Sequence, residues 1–322
     1  MSVLLITFQA VFALLGIGAL GFWVVGNRQA PASTFAFLSS LAIDIALPFL
    51  VLANLIRDFS PENFPGWWRM PFWWLGFISV SLALTLTASY LTKKEIRSEF
   101  SIGLFYQNGL FFPLIIINGL FGIGNPYLVT LFVFMVLQPS LVFATYPLFF
   151  DKKAPTQKMN WQRIINPMMV TTIIGMIVSL VAAKKYVPNF ILTMLTMVGA
   201  MATPLLMLIL GGNIYNDFVY RKNEKRKFEI WEVLKFVIIK NLIFPLVFIG
   251  LLIWTRPDTT VALIILLEAA VPPITAIPIF AERCGGNRKI ASQFIAGSFI
   301  FSVISIPAMI YLFSKFFPIP LR

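Results

Sequence analysis

Glu268 stands in an apolar stretch, four residues before the pair Pro272-Pro273. A carboxylate at bilayer depth costs at least about 2.5–3.5 kcal/mol on insertion scales, so such groups face a cavity or a partner. Two chemistries suit an acidic oxygen in a partly dry site: uptake of a coupling proton, or a share in holding a sodium ion. The plainer alternatives are a Glu neutralised by an internal Lys or Arg, or one near the interface. Asp44, four residues before Pro48, is the second acid that reads as buried. It suits a coupling role and, equally, a carboxylate capping N–H groups freed at a proline kink. Lys240 lies deep in a later run. It either pairs with Asp44 or Glu268 or sends its stem along apolar surface to the interface, as Lys235 is expected to do.

No straight helix can pass through the residues after Glu268. Pro273 has no N–H and clashes with the carbonyl four residues back, and Pro272 is pushed out of the α region by the proline that follows it. Freed backbone groups in hydrocarbon cost several kcal/mol each, so the break must be buried in protein or line a wet cavity. Thr275, just past the pair, is placed to reach such a site. A second interruption reads Tyr106-Gln107-Asn108-Gly109-Leu110-Phe111-Phe112-Pro113. Asn108 offers a donor and an acceptor, Gly109 lets the backbone leave helical geometry or a ligand approach, and Pro113 prevents a continuous ladder. If the two broken stretches cross, the N-terminal ends of their second half-helices face a common point. Unpaired N–H groups and positive dipole ends there favour an anion.

Positioning these groups requires a membrane. The chain of 322 residues is 59% hydrophobic and 12% charged, against roughly 25% charged in soluble domains. That balance predicts an all-α polytopic membrane protein. Runs long enough to span fall at about 3–25, 35–56, 71–92, 100–121, 126–149, 164–184, 189–213, 231–254, 259–281 and 289–314, which makes ten. The loops after the odd-numbered runs carry sixteen Lys and Arg, against seven on the opposite face. The positive-inside rule makes the richer face cytoplasmic and puts both termini outside a cytoplasmic membrane. Trp67, Trp68, Trp73 and Trp74 read as an outer aromatic belt. The net charge of +12 is thus explained by topology, with no call for nucleic acid.

The runs divide into residues 1–150, a cytoplasmic linker at 151–163 and residues 164–322, five runs to each side. An odd number per half makes the halves insert with opposite orientation, the inverted-repeat plan of many carriers. The halves rhyme: Ala46-Leu47-Pro48 matches Ala202-Thr203-Pro204, and Pro48 to Pro113 spans 65 residues where Pro204 to Pro273 spans 69.

At the two interruptions the sequence resembles the auxin efflux carrier family, which includes bacterial malonate and malate permeases and plant PIN carriers. Pro273, Pro278 and Phe280-Ala281-Glu282 are similar to the family's proline-containing crossover in the ninth span. Asn108-Gly109 with Pro113 resembles the crossover in the fourth, although the family more often has a longer spacing to the proline and a second glycine. The resemblance implies ten helices as two inverted five-helix repeats with broken crossover helices in spans four and nine, similar to bile-acid symporters. It also implies elevator-type alternating access and a homodimer.

The expected function is secondary transport of a small organic anion, a mono- or dicarboxylate, coupled to protons or sodium. The substrate contacts are expected from Asn108, Gly109, Pro113, Pro272, Pro273 and Thr275, and coupling from Glu268 and Asp44. The alternatives are a sodium-coupled symporter of bile-acid type and a receptor or scaffold that does not transport. A membrane enzyme is disfavoured, because the chain has no His, one Cys (Cys284) and no paired-acid metal motif. No cofactor is expected beyond the coupling ion.

Overall fold

The computed structural model describes residues 3–27, 32–122, 125, 127–150, 167–216 and 229–319. The linker expected at 151–163 lies outside the described residues, as do Arg28 and the basic stretch from Arg221 to Lys227. The described chain is helical throughout. Helix α1 is Val3–Gly26, and α2 (Ala32–Ser40) passes through a π-helical segment, Leu41–Ala46, into α3 (Leu47–Asp58). There follow α4 (Met70–Ser89), α5 (Arg97–Phe105), α6 (Phe111–Phe121), α7 (Tyr127–Phe134) and α8 (Gln138–Thr145). Next come α9 (Pro167–Leu180), α10 (Asn189–Ala200) and α11 (Ala202–Tyr215). A second π segment, Ile239–Ile243, joins α12 (Ile230–Ile238) to α13 (Phe244–Thr255), and α14 (Thr259–Ala270), α15 (Ile277–Arg283) and α16 (Arg288–Phe313) complete the chain. Helices satisfy their own backbone groups, which is what a chain this apolar requires in lipid.

Among the described residues seven helical stretches are long and apolar enough to cross a membrane: Leu4–Gly26, Phe37–Asp58, Trp67–Ser89, Tyr127–Phe149, Asn189–Tyr215, Ile230–Thr255 and Arg288–Phe313. Three shorter apolar helices, Phe111–Phe121, Pro167–Leu180 and Thr259–Ala270, fall within the remaining expected runs. Two of these, α6 and α14, are short because their runs are interrupted.

Both π segments end just before a proline, Pro48 in one case and Pro245 in the other. A proline removes the N–H that would bond the carbonyl four residues back, and its ring crowds that carbonyl. The helix accommodates this by admitting one extra residue in the turn. Each bulge therefore rotates the helix faces on either side of it relative to one another.

Helix α1 packs along α11 and also touches α16 and α6, while α3 packs on α9 and α10. The α1–α11 seam is made by glycines: a methyl at Gly21 would overlap the Leu208 backbone, and one at Gly211 the Gly18 carbonyl. A second group gathers α4, α5, α7 and α12 to α16. There Phe100, Phe236 and Phe294 form an aromatic triangle with ring centroids 4.6–5.6 Å apart. The triangle fixes α5 against α12 and α16, and so sets the end of α5 beside the second π segment.

Candidate functional site

The two interruptions meet. Helix α5 ends at Phe105 and α14 at Ala270, and the extended residues that follow pair antiparallel, with Gln107 opposite Pro273. The Asn108 N–H donates to the Pro272 carbonyl at 2.8 Å, and the Ile274 N–H donates to the Tyr106 carbonyl at 2.9 Å. Each break thus supplies partners for backbone groups that the other has freed, which is the condition for irregular backbone at membrane depth. The Tyr106 hydroxyl is anchored on Thr145 of α8, further holding the strand-like turn in place.

Side chains converge on this bridge. Glu268, in the last turn of α14, is fully buried, and its Oε2 accepts from Gln107 Nε2 at 3.2 Å. Gly109 lies against the same carboxylate, and a methyl added there would overlap it. Lys240, in the second π segment, is 1% exposed. Its Nζ donates to the Leu104 carbonyl at 3.3 Å and stands 5.1 Å from the centroid of the Phe244 ring. Three of the nine buried side-chain polar atoms that make no hydrogen bond among the described residues lie here: Gln107 Oε1, Asn108 Nδ2 and Glu268 Oε1. Open donors and acceptors in a dry site cost about 1–3 kcal/mol each, and their retention marks a place where a ligand can complete them. Among the described residues no group of three or more His, Cys, Asp or Glu is placed to hold a metal ion.

Comparison with known proteins decides the family. A model described as membrane transport protein, the auxin efflux carrier-like family, matches residues 6–160 and again residues 155–310. The chain belongs to that family. No curated protein matches it. Membership makes the chain a membrane transporter.

Within this transporter the expected site residues divide. Asn108, Gly109, Pro272, Pro273 and Glu268 are brought together at the bridge. Thr275 follows it, half-buried between the bridge and α15. Pro113 is placed differently from the expectation. It sits in the first turn of α6, where its missing N–H is one of those lacking a helical partner in any case, and the break lies upstream at Tyr106 to Leu110. Asp44, expected to be buried, is exposed on the first π segment, whose packing partners are α2, α3 and α9 to α11. The bulge before Pro48 turns it outward.

Trp74, expected in an interfacial belt, is buried, and its Nε1 donates to Gln138 Oε1 at 3.0 Å. Lys235 does not simply reach for the interface. It binds Glu232 at 2.9 Å and the Leu91 carbonyl at 3.2 Å.

Gln107 and the Leu104 carbonyl were not among the expected site groups. Gln107 was visible as the neighbour of Asn108, whereas no sequence signal marks which carbonyl of α5 meets Lys240.

Proposed function

We propose that this transporter is a secondary carrier for a small organic anion, a mono- or dicarboxylate of the malonate, malate or auxin kind. The observation that carries this reading is the pairing of two interrupted spans at Gln107 and Pro273 beside open, buried polar atoms. Asn108 Nδ2 and the first N–H groups of α6 supply hydrogen-bond donors for a carboxylate at the positive end of a half-helix. Gly109 gives that carboxylate a close approach, and Thr275 lies within the same stretch. Glu268 serves as the coupling group.

The reading extends to the architecture. Seven long helices and three shorter ones fall on the ten expected runs, which supports ten spans in two inverted repeats. The corresponding prolines Pro48 and Pro204 and the corresponding breaks support the same plan. The group α1 to α3 with α9 to α11 suits a scaffold, and the group holding the crossover suits the moving part of an elevator. The charge bias of the loops puts both termini outside a cytoplasmic membrane, and two copies of the chain associate as the resemblance implies.

The test is a thermal-shift titration of the purified protein with malonate, malate, indole acetate and bile acids. A ligand that binds only the folded state stabilises it by RT ln(1 + [L]/Kd), about 2.7 kcal/mol at a hundredfold excess over Kd. A shift with one carboxylate, lost in both Asn108→Ala and Glu268→Gln, is the expected result. A shift with bile acids alone would replace the substrate class, and no shift with any of them would remove the anion-carrier reading.

A further inference from the structure

The crossover holds a cation that the chain itself supplies. In an unbroken helix the Leu104 carbonyl would accept from the N–H of residue 108, but Asn108 gives its N–H to Pro272. The freed carbonyl, in the last turn of α5, accepts instead from Lys240 Nζ. The ammonium therefore sits at the negative end of one half-helix. Glu268 lies in the last turn of the other, α14, and the face of the Phe244 ring adds a further favourable contact. Half-helix C-terminal ends and unwound carbonyls are the groups with which broken-helix carriers coordinate coupling ions. Here one such carbonyl, that of Leu104, takes the Lys240 ammonium.

Lys240 is also pinned rather than free to leave. The π segment sets it beside Asn241, which donates to the Ser298 carbonyl at 3.1 Å and accepts from the Ser298 hydroxyl at 2.6 Å. Both contacts tie the bulge to α16. The aromatic triangle of Phe100, Phe236 and Phe294 holds α5 on the same pair of helices. The ammonium, the carbonyl it caps and the helix that carries it are thus held by independent contacts.

We infer that Lys240 is a tethered replacement for a coupling sodium ion at the crossover, so that transport by this protein does not require sodium. The inference rests on the carrier reading above and decides one of its open terms. A mobile sodium ion would need the same carbonyl and would meet the Lys240 side chain already lodged against it.

The experiment melts the full-length purified protein in sodium chloride and in choline chloride at equal ionic strength, and measures anion counterflow in liposomes in the same two salts. Wild type is expected to melt at the same temperature and to exchange anion at the same rate in both. Lys240→Ala leaves the Leu104 carbonyl without its partner, and is expected to gain a sodium-specific rise in Tm of about 2 °C or more. Lys240→Arg keeps the charge and is expected to stay indifferent to sodium.

A sodium-specific rise in wild-type Tm overturns the inference, and that comparison needs no variant. Counterflow that runs several-fold faster in sodium than in choline overturns it too, while leaving the carrier reading intact. Absence of counterflow with every anion in either salt counts instead against the carrier reading. Should Lys240→Ala not fold, Lys240→Met keeps most of the stem volume. A folded Lys240→Met protein that melts identically in the two salts would also overturn the inference.

Discussion

The α1–α11 seam and the crossover both bring two backbones into contact inside a membrane, and they do it with opposite chemistry. At the seam Gly18, Gly21 and Gly211 remove side chains from unbroken helices, so every backbone group there keeps its own intrahelical partner. Among the described residues no buried side-chain polar atom of the seam lacks a hydrogen bond. At the crossover both helices stop, their freed groups are shared between Tyr106–Asn108 and Pro272–Ile274, and Gln107, Asn108 and Glu268 still keep open atoms. Close approach by itself needs only small residues. Breaking the helices and burying Glu268 and Lys240 costs more, and that extra cost supports placing the proposed site at the crossover.

The sharpest way to test the contrast is Gly211→Ala. Its methyl meets the Gly18 carbonyl, which is backbone and cannot swing aside, so overpacking is expected to cost about 1–3 kcal/mol. The signature is a lower Tm with the anion-induced shift retained. Unchanged melting with loss of that shift would move substrate contact to the seam and break the comparison.

Gly109→Ala is the counterpart, and its effect on stability is expected to be smaller. Its methyl meets the end of the Glu268 side chain, which can turn away at the expense of the Gln107 hydrogen bond, about 1 kcal/mol. The anion-induced shift in Tm is expected to vanish nevertheless. A Gly109→Ala protein that binds anion as wild type does would show that the crossover is a packing device like the seam.

A third region, outside both, supplies the reference for a purely local contact. Lys93, just past α4, pairs with Glu229 ahead of α12 at 2.7 Å, with both side chains exposed. The Glu229 hydrogen bond and charge raise the Lys93 pKa above its usual lysine value. A raised folded-state pKa means that the contribution is present at neutral pH and is lost as pH rises through that raised value. Lys93→Ala is therefore expected to lower Tm only slightly at neutral pH and to converge with wild type in strong alkali. A difference that persisted unchanged into alkali would point to a cause other than this pair.

How much of this could be read beforehand follows from which interactions are local. Apolar runs declared the membrane helices, because in lipid an apolar stretch of that length has no other way to satisfy its backbone. Pro272-Pro273 and Asn108-Gly109 declared the two breaks, since a missing N–H and a missing side chain act on the chain beside them. Glu268 declared itself by charge in an apolar stretch. Tertiary structure decided the rest: that Gln107 faces Pro273, that Lys240 caps Leu104, and that Trp74 turns inward to Gln138. Asp44 shows why. The π bulges before Pro48 and Pro245 shift every following face by a residue that regular helical spacing does not count, so one acid turned outward and one lysine turned in. Local chemistry sets where a backbone ladder fails. Which distant group then takes up the freed partner depends on how whole helices pack, and no single stretch of sequence carries that information.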